Sequence, residues 1–325
     1  MHVLSCPHLP NAAHTPIGSE VYRGLTERPK TLSPWLFYDA RGSELFEQIT
    51  ELPEYYPTRT ERSILSAHAD QIVCTAAGCE QLTMIELGAG TATKTGLLLK
   101  AAVRRQSEVT YHAIDISRTA LDEAKQRIEA ELDGVAVVPR VADYTEGLGQ
   151  VDAEGQRRMV LYIGSSIGNF EPADALQLLR DIRKELKPGE KLLLGVDMVK
   201  DPEVLLAAYD DAAGVTAAFN KNVLTRINRE LGANFNLNLF RHRARWNEES
   251  SRIEMHLESL IAQSVSIPAL ELEVKLQRGE TIHTENSYKF RDEGVIEMLE
   301  RADFHLSDHW TDERERFGVY LASAW

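Results

Sequence analysis

Four groups of residues in this chain are of types and spacings that could do chemistry. The first is Glu86-Leu-Gly-Ala-Gly-Thr91, a glycine loop between an apolar run and a helical pattern. Glycine has no side chain and tolerates dihedrals that other residues avoid, so such a loop admits a ligand close to the backbone, although paired glycines between strand and helix also serve as plain turns. The second is a pair of carboxylates, Asp115 and Asp143, closing the next two apolar runs. A carboxylate at the first place can bond ribose hydroxyls, and one at the second can accept from an adenine amino group. The third is Gly164-Ser-Ser-Ile-Gly-Asn169. The Asn169 amide both donates and accepts, so it could hold an amine and a carboxylate together, or it could cap the helix that follows. The fourth is Glu285 with Ser287 two residues on. In alternating sequence these share a face, and Glu285 is there either a solvated strand carboxylate or a charge-assisted acceptor for a ring N–H.

The elements that must position these groups alternate regularly. Apolar runs at Leu82–Leu87, Val109–Ile116, Val135–Val141, Arg158–Ile163 and Lys191–Met198 read as strands. Helical patterns follow at Ala92–Arg105, Ser117–Leu132 and Pro172–Leu186. Strands separated by helices imply right-handed crossovers and a parallel sheet. The pattern then breaks. Helices are expected at Glu203–Asp211 and Gly214–Leu231, and β-rich sequence at Arg252–Leu260 and Leu270–Leu276. A helix at Arg291–Ala302 and two strand-like runs, Phe304–Thr311 and Phe317–Ala322, close the chain as an antiparallel hairpin on the sheet edge. Before the sheet, an aromatic segment (Trp35, Phe37, Tyr38, Phe46, Tyr55, Tyr56) contains a short helix at Ser43–Leu52, and another helix is expected at Thr60–Thr75.

With this arrangement two cofactors compete for the glycine loop. A nicotinamide dinucleotide site usually carries a third glycine where this chain has Thr93, and it does not usually end in an antiparallel hairpin. An acidic residue opening the loop, Glu86, and the closing hairpin both point instead to S-adenosylmethionine (SAM).

Composition bounds the rest. The chain has 325 residues, 43% hydrophobic and 26% charged, which suits a globular protein of about two domains. Thirty-six Lys and Arg against 50 Asp and Glu give a net charge of −14, which argues against nucleic acid or an anionic membrane as partner. No apolar run reaches the roughly 18 residues of a membrane span, and Met1–Pro16 lacks the basic and apolar regions of a signal peptide. Cys6, Cys74 and Cys79 form no CxxC pair, so reduced thiols and a cytoplasmic location are expected. His305 and His309 have no acidic or cysteine ligand at suitable spacing, and no metal is expected.

Longer segments make a narrower match. They are Trp35-Leu-Phe-Tyr-Asp-Ala-Arg-Gly-Ser43, Leu52-Pro-Glu-Tyr-Tyr-Pro-Thr-Arg59, the loop Glu86–Thr95, Gly164–Asn169, Ala208-Tyr-Asp-Asp-Ala-Ala-Gly-Val-Thr216, Phe219-Asn-Lys-Asn-Val-Leu224, Ala244-Arg-Trp-Asn247, Ile253-Glu-Met255 and Thr284-Glu-Asn-Ser-Tyr-Lys-Phe290. Together they resemble, in order from about Thr31 to the carboxyl terminus, the histidine-specific SAM-dependent methyltransferases of ergothioneine biosynthesis. The resemblance implies an α/β fold: a Rossmann-like methyltransferase sheet, mostly parallel with an antiparallel carboxy-terminal hairpin, over 61–199 and 288–325. It implies a second, α+β substrate domain from 17–60 and 200–287; residues 1–16, polar with His, Pro and Asn, are expected to be frayed and flexible. It also implies a monomer that converts L-histidine to trimethylhistidine (hercynine) with three SAM molecules, releasing S-adenosylhomocysteine.

The same resemblance implies roles residue by residue. Gly88, Lys94, Asp115, Asp143 and Tyr144 would surround SAM, with Tyr38 near its methyl end. Asn169 and the Gly164 backbone would hold the amine, and Tyr209 with Asn169 the carboxylate. Tyr55, Met255, Glu285 and Ser287 would form the imidazole pocket. Tyr38 and Asn169 are the residues expected to act in catalysis. Read without the resemblance, Met255 suits a core as well as a pocket, and Tyr55 and Tyr209 suit a core or an interface. Ala142-Asp143 stands where family members often have Gly-Asp. The rival readings are a SAM-dependent N-methyltransferase of another amino acid such as tryptophan, a silent SAM-binding regulator, and a nicotinamide-dependent oxidoreductase.

Overall fold

Leu82–Leu87 (β1) has every residue buried, which is what an apolar run becomes when both faces of a parallel sheet are covered. In the computed structural model, which describes residues 10–142, 148–149, 151, 153 and 155–325, this strand lies inside a seven-stranded sheet. Its companions are Val109–Asp115 (β2), Val135–Val141 (β3), Arg157–Tyr162 (β4), Lys191–Asp197 (β5), Phe304–Thr311 (β6) and Phe317–Ala324 (β7). The order is β6-β7-β5-β4-β1-β2-β3. The five strands from β1 to β5 are parallel, and β7 runs antiparallel between β5 and β6, with Phe317 opposite Asp197. The expected hairpin is therefore present, with β6 as the edge strand.

The connecting helices are Thr95–Gln106, Arg118–Glu131 and Pro172–Glu185. Their ends follow local chemistry. The Ser117 hydroxyl accepts from the Ala120 N–H, and Pro172 supplies the fixed φ that suits a first helical position. Pro57 likewise lies in the opening turn of Tyr56–Ala77, which starts earlier than the Thr60 expected from sequence.

The chain divides into two units: the stretch up to Tyr56 with Lys200–Ser287, and Pro57–Val199 with Tyr288–Trp325. The sheet above belongs to the second. The first has a four-stranded sheet ordered Lys30–Thr31, Thr281–Tyr288, Arg252–Ser259, Phe240–Asn247, and a separate hairpin of Gln263–Ile267 with Leu272–Leu276. Helices Pro16–Thr26, Ala40–Thr50, Pro202–Tyr209 and Val215–Leu231 complete it, and Leu36, Phe37, Leu45 and Ile49 share its core with Phe219, Val223, Ile253 and Leu257.

One expectation is corrected here. Frayed sequence was expected through residue 16, but from Pro10 onward the chain is ordered. Asn11–His14 makes a 3-10 turn with Ala13 buried, and Thr15 Oγ1 accepts from Gly18 N at 3.1 Å to cap the next helix. On the strand Phe240–Asn247 arginines alternate with inward residues, and Arg241 and Arg243 both pair with Glu258 across the hairpin. Along the continuous strand Thr281–Tyr288, Ile282, Thr284 and Ser287 are buried and Glu285 is half-buried.

Candidate active site

Within the second unit, the loop after β1 is shaped by three positive φ angles, at Gly88 (72°), Gly90 (51°) and Ala92 (51°). The first turn is held by Gly88 N and Ala89 N, which donate to Ile114 O at 2.9 and 3.1 Å. Asp115 then ties two segments together: Oδ2 accepts from Gly90 N and Oδ1 from Ser117 N, at 2.9 and 2.8 Å. From the far end of the next helix, Arg127 Nη2 donates to Thr91 O at 2.6 Å. A side chain built on Gly90 would meet nothing within 4 Å, so the loop faces open space. Beside it, Ile116 is 54% exposed and Val141 50%, apolar side chains left open at the carboxyl ends of β2 and β3. Asp143 and Tyr144 lie outside the described residues.

Beneath the loop is a buried charge cluster. Glu86 accepts from the Thr95 hydroxyl at 2.7 Å and from the Tyr111 hydroxyl. Burial pushes its carboxyl up to about 7, the hydroxyl donors and Lys94 opposing. Lys94 bonds the wholly buried Glu61. Glu61 Oε1 in turn accepts from Gly164 N at 2.9 Å. Gly164 has φ 84°, where any side chain would be strained, and a Cβ there would lie 3.2 Å from Lys94 Nζ.

Gly164 opens the segment that carries Asn169. Ser165 Oγ accepts from Asp197 N at 2.8 Å, and a 3-10 turn over Ser166–Asn169 follows. Asn169 ends that turn and does not cap the next helix, whose N-cap position is Glu171. A buried ion pair, Lys289 Nζ to Asp197 Oδ2 at 2.8 Å, also involves Asp197. The structure thus brings Gly88, Lys94, Asp115, Gly164 and Asn169 to the carboxyl ends of the parallel strands, where open α/β sheets bind ligands.

Within the first unit, a chain of rings joins the aromatic residues singled out from sequence. Tyr38 packs on Phe46, Phe46 on Tyr55 and Tyr55 on Tyr209, with centroids 5.8, 6.3 and 6.3 Å apart. Tyr209 Oη and Ser287 Oγ are 2.7 Å apart. Tyr38 is seated by its neighbour: Asp39 Oδ1 accepts from Gly42 N and Asn222 Nδ2, capping Ala40–Thr50 and tying it to Val215–Leu231. Met255 is almost fully buried in this unit's core. Glu285 is half-buried, and its carbonyl accepts from His283 Nε2 at 3.0 Å.

Sequence reasoning missed a buried polar network behind these residues. His242 Nε2 lies 2.7 Å from Tyr209 O, and Asn220 Nδ2 2.8 Å from His242 Nδ1. Thr284 Oγ1 is 2.8 Å from Asn220 Oδ1 and 3.0 Å from Met255 O. Burial holds His242 below its ordinary value, so the ring is neutral, donating from Nε2 and accepting at Nδ1. Glu61 was missed as well, although a signal existed: it lies three and four residues before Ile64 and Leu65, on the apolar stripe of its helix, where a carboxylate needs a partner.

Among the described residues, no three His, Cys, Asp or Glu side chains are grouped to hold a metal, and no helix is long and apolar enough to cross a membrane. Known proteins resemble the whole chain. Histidine N-alpha-methyltransferase of Mycolicibacterium smegmatis is 46% identical over 93% of each chain. The protein of the same name from Mycobacterium tuberculosis is 43% identical over 99% of this chain and all of that one. Ergothioneine biosynthesis protein 1 of Schizosaccharomyces pombe is 28% identical over 88% of this chain and 38% of its own length. A family model described as histidine-specific methyltransferase, SAM-dependent, matches residues 17–324 and so takes in both units. A glycine loop at the strand ends, an antiparallel closing hairpin and this nearly complete match agree: the chain belongs to the histidine-specific, SAM-dependent methyltransferase family.

Proposed function

We propose that this protein transfers three methyl groups in succession from SAM to the α-amino group of L-histidine, giving trimethylhistidine for ergothioneine biosynthesis. The observation that carries the reading is the near full-length kinship to two relatives named histidine N-alpha-methyltransferase. In this reading 61–199 with 288–325 forms the methyl-donor domain, and 17–60 with 200–287 the substrate domain. The protein acts as a cytoplasmic monomer on a small zwitterion, with neither nucleic acid nor membrane as partner.

The residues present suit the cofactor. Gly90 faces open space, each Asp115 oxygen keeps a lone pair beyond its backbone N–H, and Ile116 and Val141 offer apolar surface at neighbouring strand ends. Gly88, Lys94, Asp115, Asp143 and Tyr144 are the residues assigned to it, with Tyr38 at the methyl end. When bound, SAM supplies an activated methyl on a sulfonium, a good leaving group, so the protein's work is orientation and exclusion of water.

Asn169 and the Gly164 backbone hold the amine, with Asn169 and Tyr209 on the carboxylate. Tyr55, Met255, Glu285 and Ser287 surround the imidazole, Glu285 accepting a ring N–H. The amine attacks only when unprotonated, and water leading to the Tyr38 hydroxyl, or proton loss before binding, meets that need. Aromatic faces such as Tyr38 and Phe46 suit the cation that accumulates with methylation.

Mass spectrometry of histidine incubated with SAM and the protein tests this directly. Three successive methyl gains are expected. SAM binding by calorimetry without any gain would instead support a silent SAM-binding regulator, and faster trimethylation of tryptophan would move the specificity to that amino acid.

A further inference from the structure

The Glu61 carboxylate makes two bonds to residues that serve different ligands in the reading above. Oε2 takes the Lys94 ammonium, on the cofactor loop, and Oε1 takes the Gly164 N–H, on the amine-binding segment. Its surroundings are fitted to it. Glu61 is 0% exposed and Lys94 19%, so the pair sits in a medium where charge is only weakly screened. Gly195 on β5 leaves room for it: a Cβ there would lie 2.1 Å from Glu61 Oε1. Lys94 also faces Glu86, whose neutral form burial favours, so Glu61 is the carboxylate that anchors the ammonium.

We propose that Glu61 is a positioning residue of the methyl-transfer site, fixing the Lys94 ammonium and the Gly164 amide through one carboxylate so that the cofactor loop and the amine-binding segment keep a set separation. The inference rests on the assignment of Lys94 to SAM and of Gly164 to the substrate amine. In-line transfer is sensitive to such separations, because small misplacements of the reacting atoms cost rate steeply. Glu61 touches no reacting atom in this scheme and acts through its two partners. Replacing it by Gln sets an amide NH2 against one of two donors, so one bond must break.

Three variants test the idea: Glu61→Gln, Gly195→Ala and Lys94→Met, each followed by SAM Kd from calorimetry, histidine KM, kcat and Tm. Glu61→Gln is expected to raise SAM Kd and histidine KM at least about fivefold each and to lower kcat. Gly195→Ala keeps the charge but strikes Oε1, so it is expected to raise histidine KM more than SAM Kd. A purely structural role would lower Tm and leave these constants unchanged. Wild-type constants in a folded Glu61→Gln and in Gly195→Ala would overturn the proposal. If Glu61→Gln does not fold, Gly195→Ala decides alone. Unchanged SAM binding in Lys94→Met would instead refute the assignment of Lys94 to the cofactor, a separate outcome.

Discussion

The Tyr209 and Ser287 hydroxyls meet at 2.7 Å, joining the end of the helix Pro202–Tyr209 to the strand Thr281–Tyr288 across 78 residues of sequence. Both residues are assigned to histidine, Tyr209 at its carboxylate and Ser287 at its imidazole. Tyr209→Phe and Ser287→Ala are each expected to raise histidine KM about fivefold, as loss of one neutral hydrogen bond worth about 1 kcal/mol would. The double variant should cost less than the product of the two, because each single change already breaks the shared bond. Steady-state kinetics of the three variants checks this. Full multiplicativity would mean that the two hydroxyls act independently.

The His242–Asn220–Thr284 network leaves no buried donor or acceptor of these side chains idle. Removing one member strands the others, so Asn220→Ala is expected to lower stability by about 2 kcal/mol. Thr284→Val, which keeps the shape, should cost less. Urea unfolding measures both, and equal losses would show that packing rather than hydrogen bonding dominates.

Glu86 gives a pH dependence of defined sign. Its folded value, about 7, lies above the ordinary 4.5. Between those values the folded state holds more protons than the unfolded chain, so stability falls as pH rises through that window. At about 1.4 kcal/mol per unit the loss is on the order of 3 kcal/mol. Glu86→Gln, which keeps an acceptor for Thr95 and Tyr111, should therefore gain Tm over wild type at pH 8 and not at pH 4.5. Thermal melts across this range test it, and a parallel offset at every pH would count against it.

His256 has the opposite slope. Burial, and then the facing His283 ring 4.9 Å away, lower it to about 4. The unfolded chain binds the extra proton between about 4 and 6.5, so the contribution of neutral His256 is lost as pH falls through that window. His256→Asn is expected to flatten acid destabilisation there, as read by Tm against pH.

For Glu285, Glu285→Ala is expected to lower kcat/KM for histidine at least about tenfold, roughly 1.4 kcal/mol. Competition between histidine and tryptophan in the same assay reads the specificity change, and unaltered kinetics would remove Glu285 from the pocket.

What could be read from sequence was local. The parallel strands announced themselves because burial on both faces leaves continuous apolar runs, as in Leu82–Leu87, and the closing hairpin because two strand-like runs flank a short polar turn. The strand Phe240–Asn247 was hidden by its arginines, which alternate with inward residues in a pattern easily taken for a basic loop. Glu61, His242 and Asn220 were hidden for another reason. Each is a polar side chain that folding buries, and its purpose depends on a partner remote in the chain, such as Gly164 or Tyr209, that only the folded backbone supplies. Asn169 shows the converse. Its sequence context suggested a helix cap, yet the cap falls two residues later and leaves the amide on the turn.

The parallel pairing of Lys30–Thr31 with Ile282–His283 has a consequence for biosynthesis. Lys30 also bonds Glu280, 250 residues later. A ribosome working at about 5–20 residues per second needs on the order of 10–50 s to span that distance. Through that interval the emerging amino-terminal segment holds Leu36, Phe37, Leu45 and Ile49 without the helix and strands that will cover them. That segment therefore belongs to a core completed only once Lys200–Ser287 has been made, which makes it the natural client for a chaperone in the meantime.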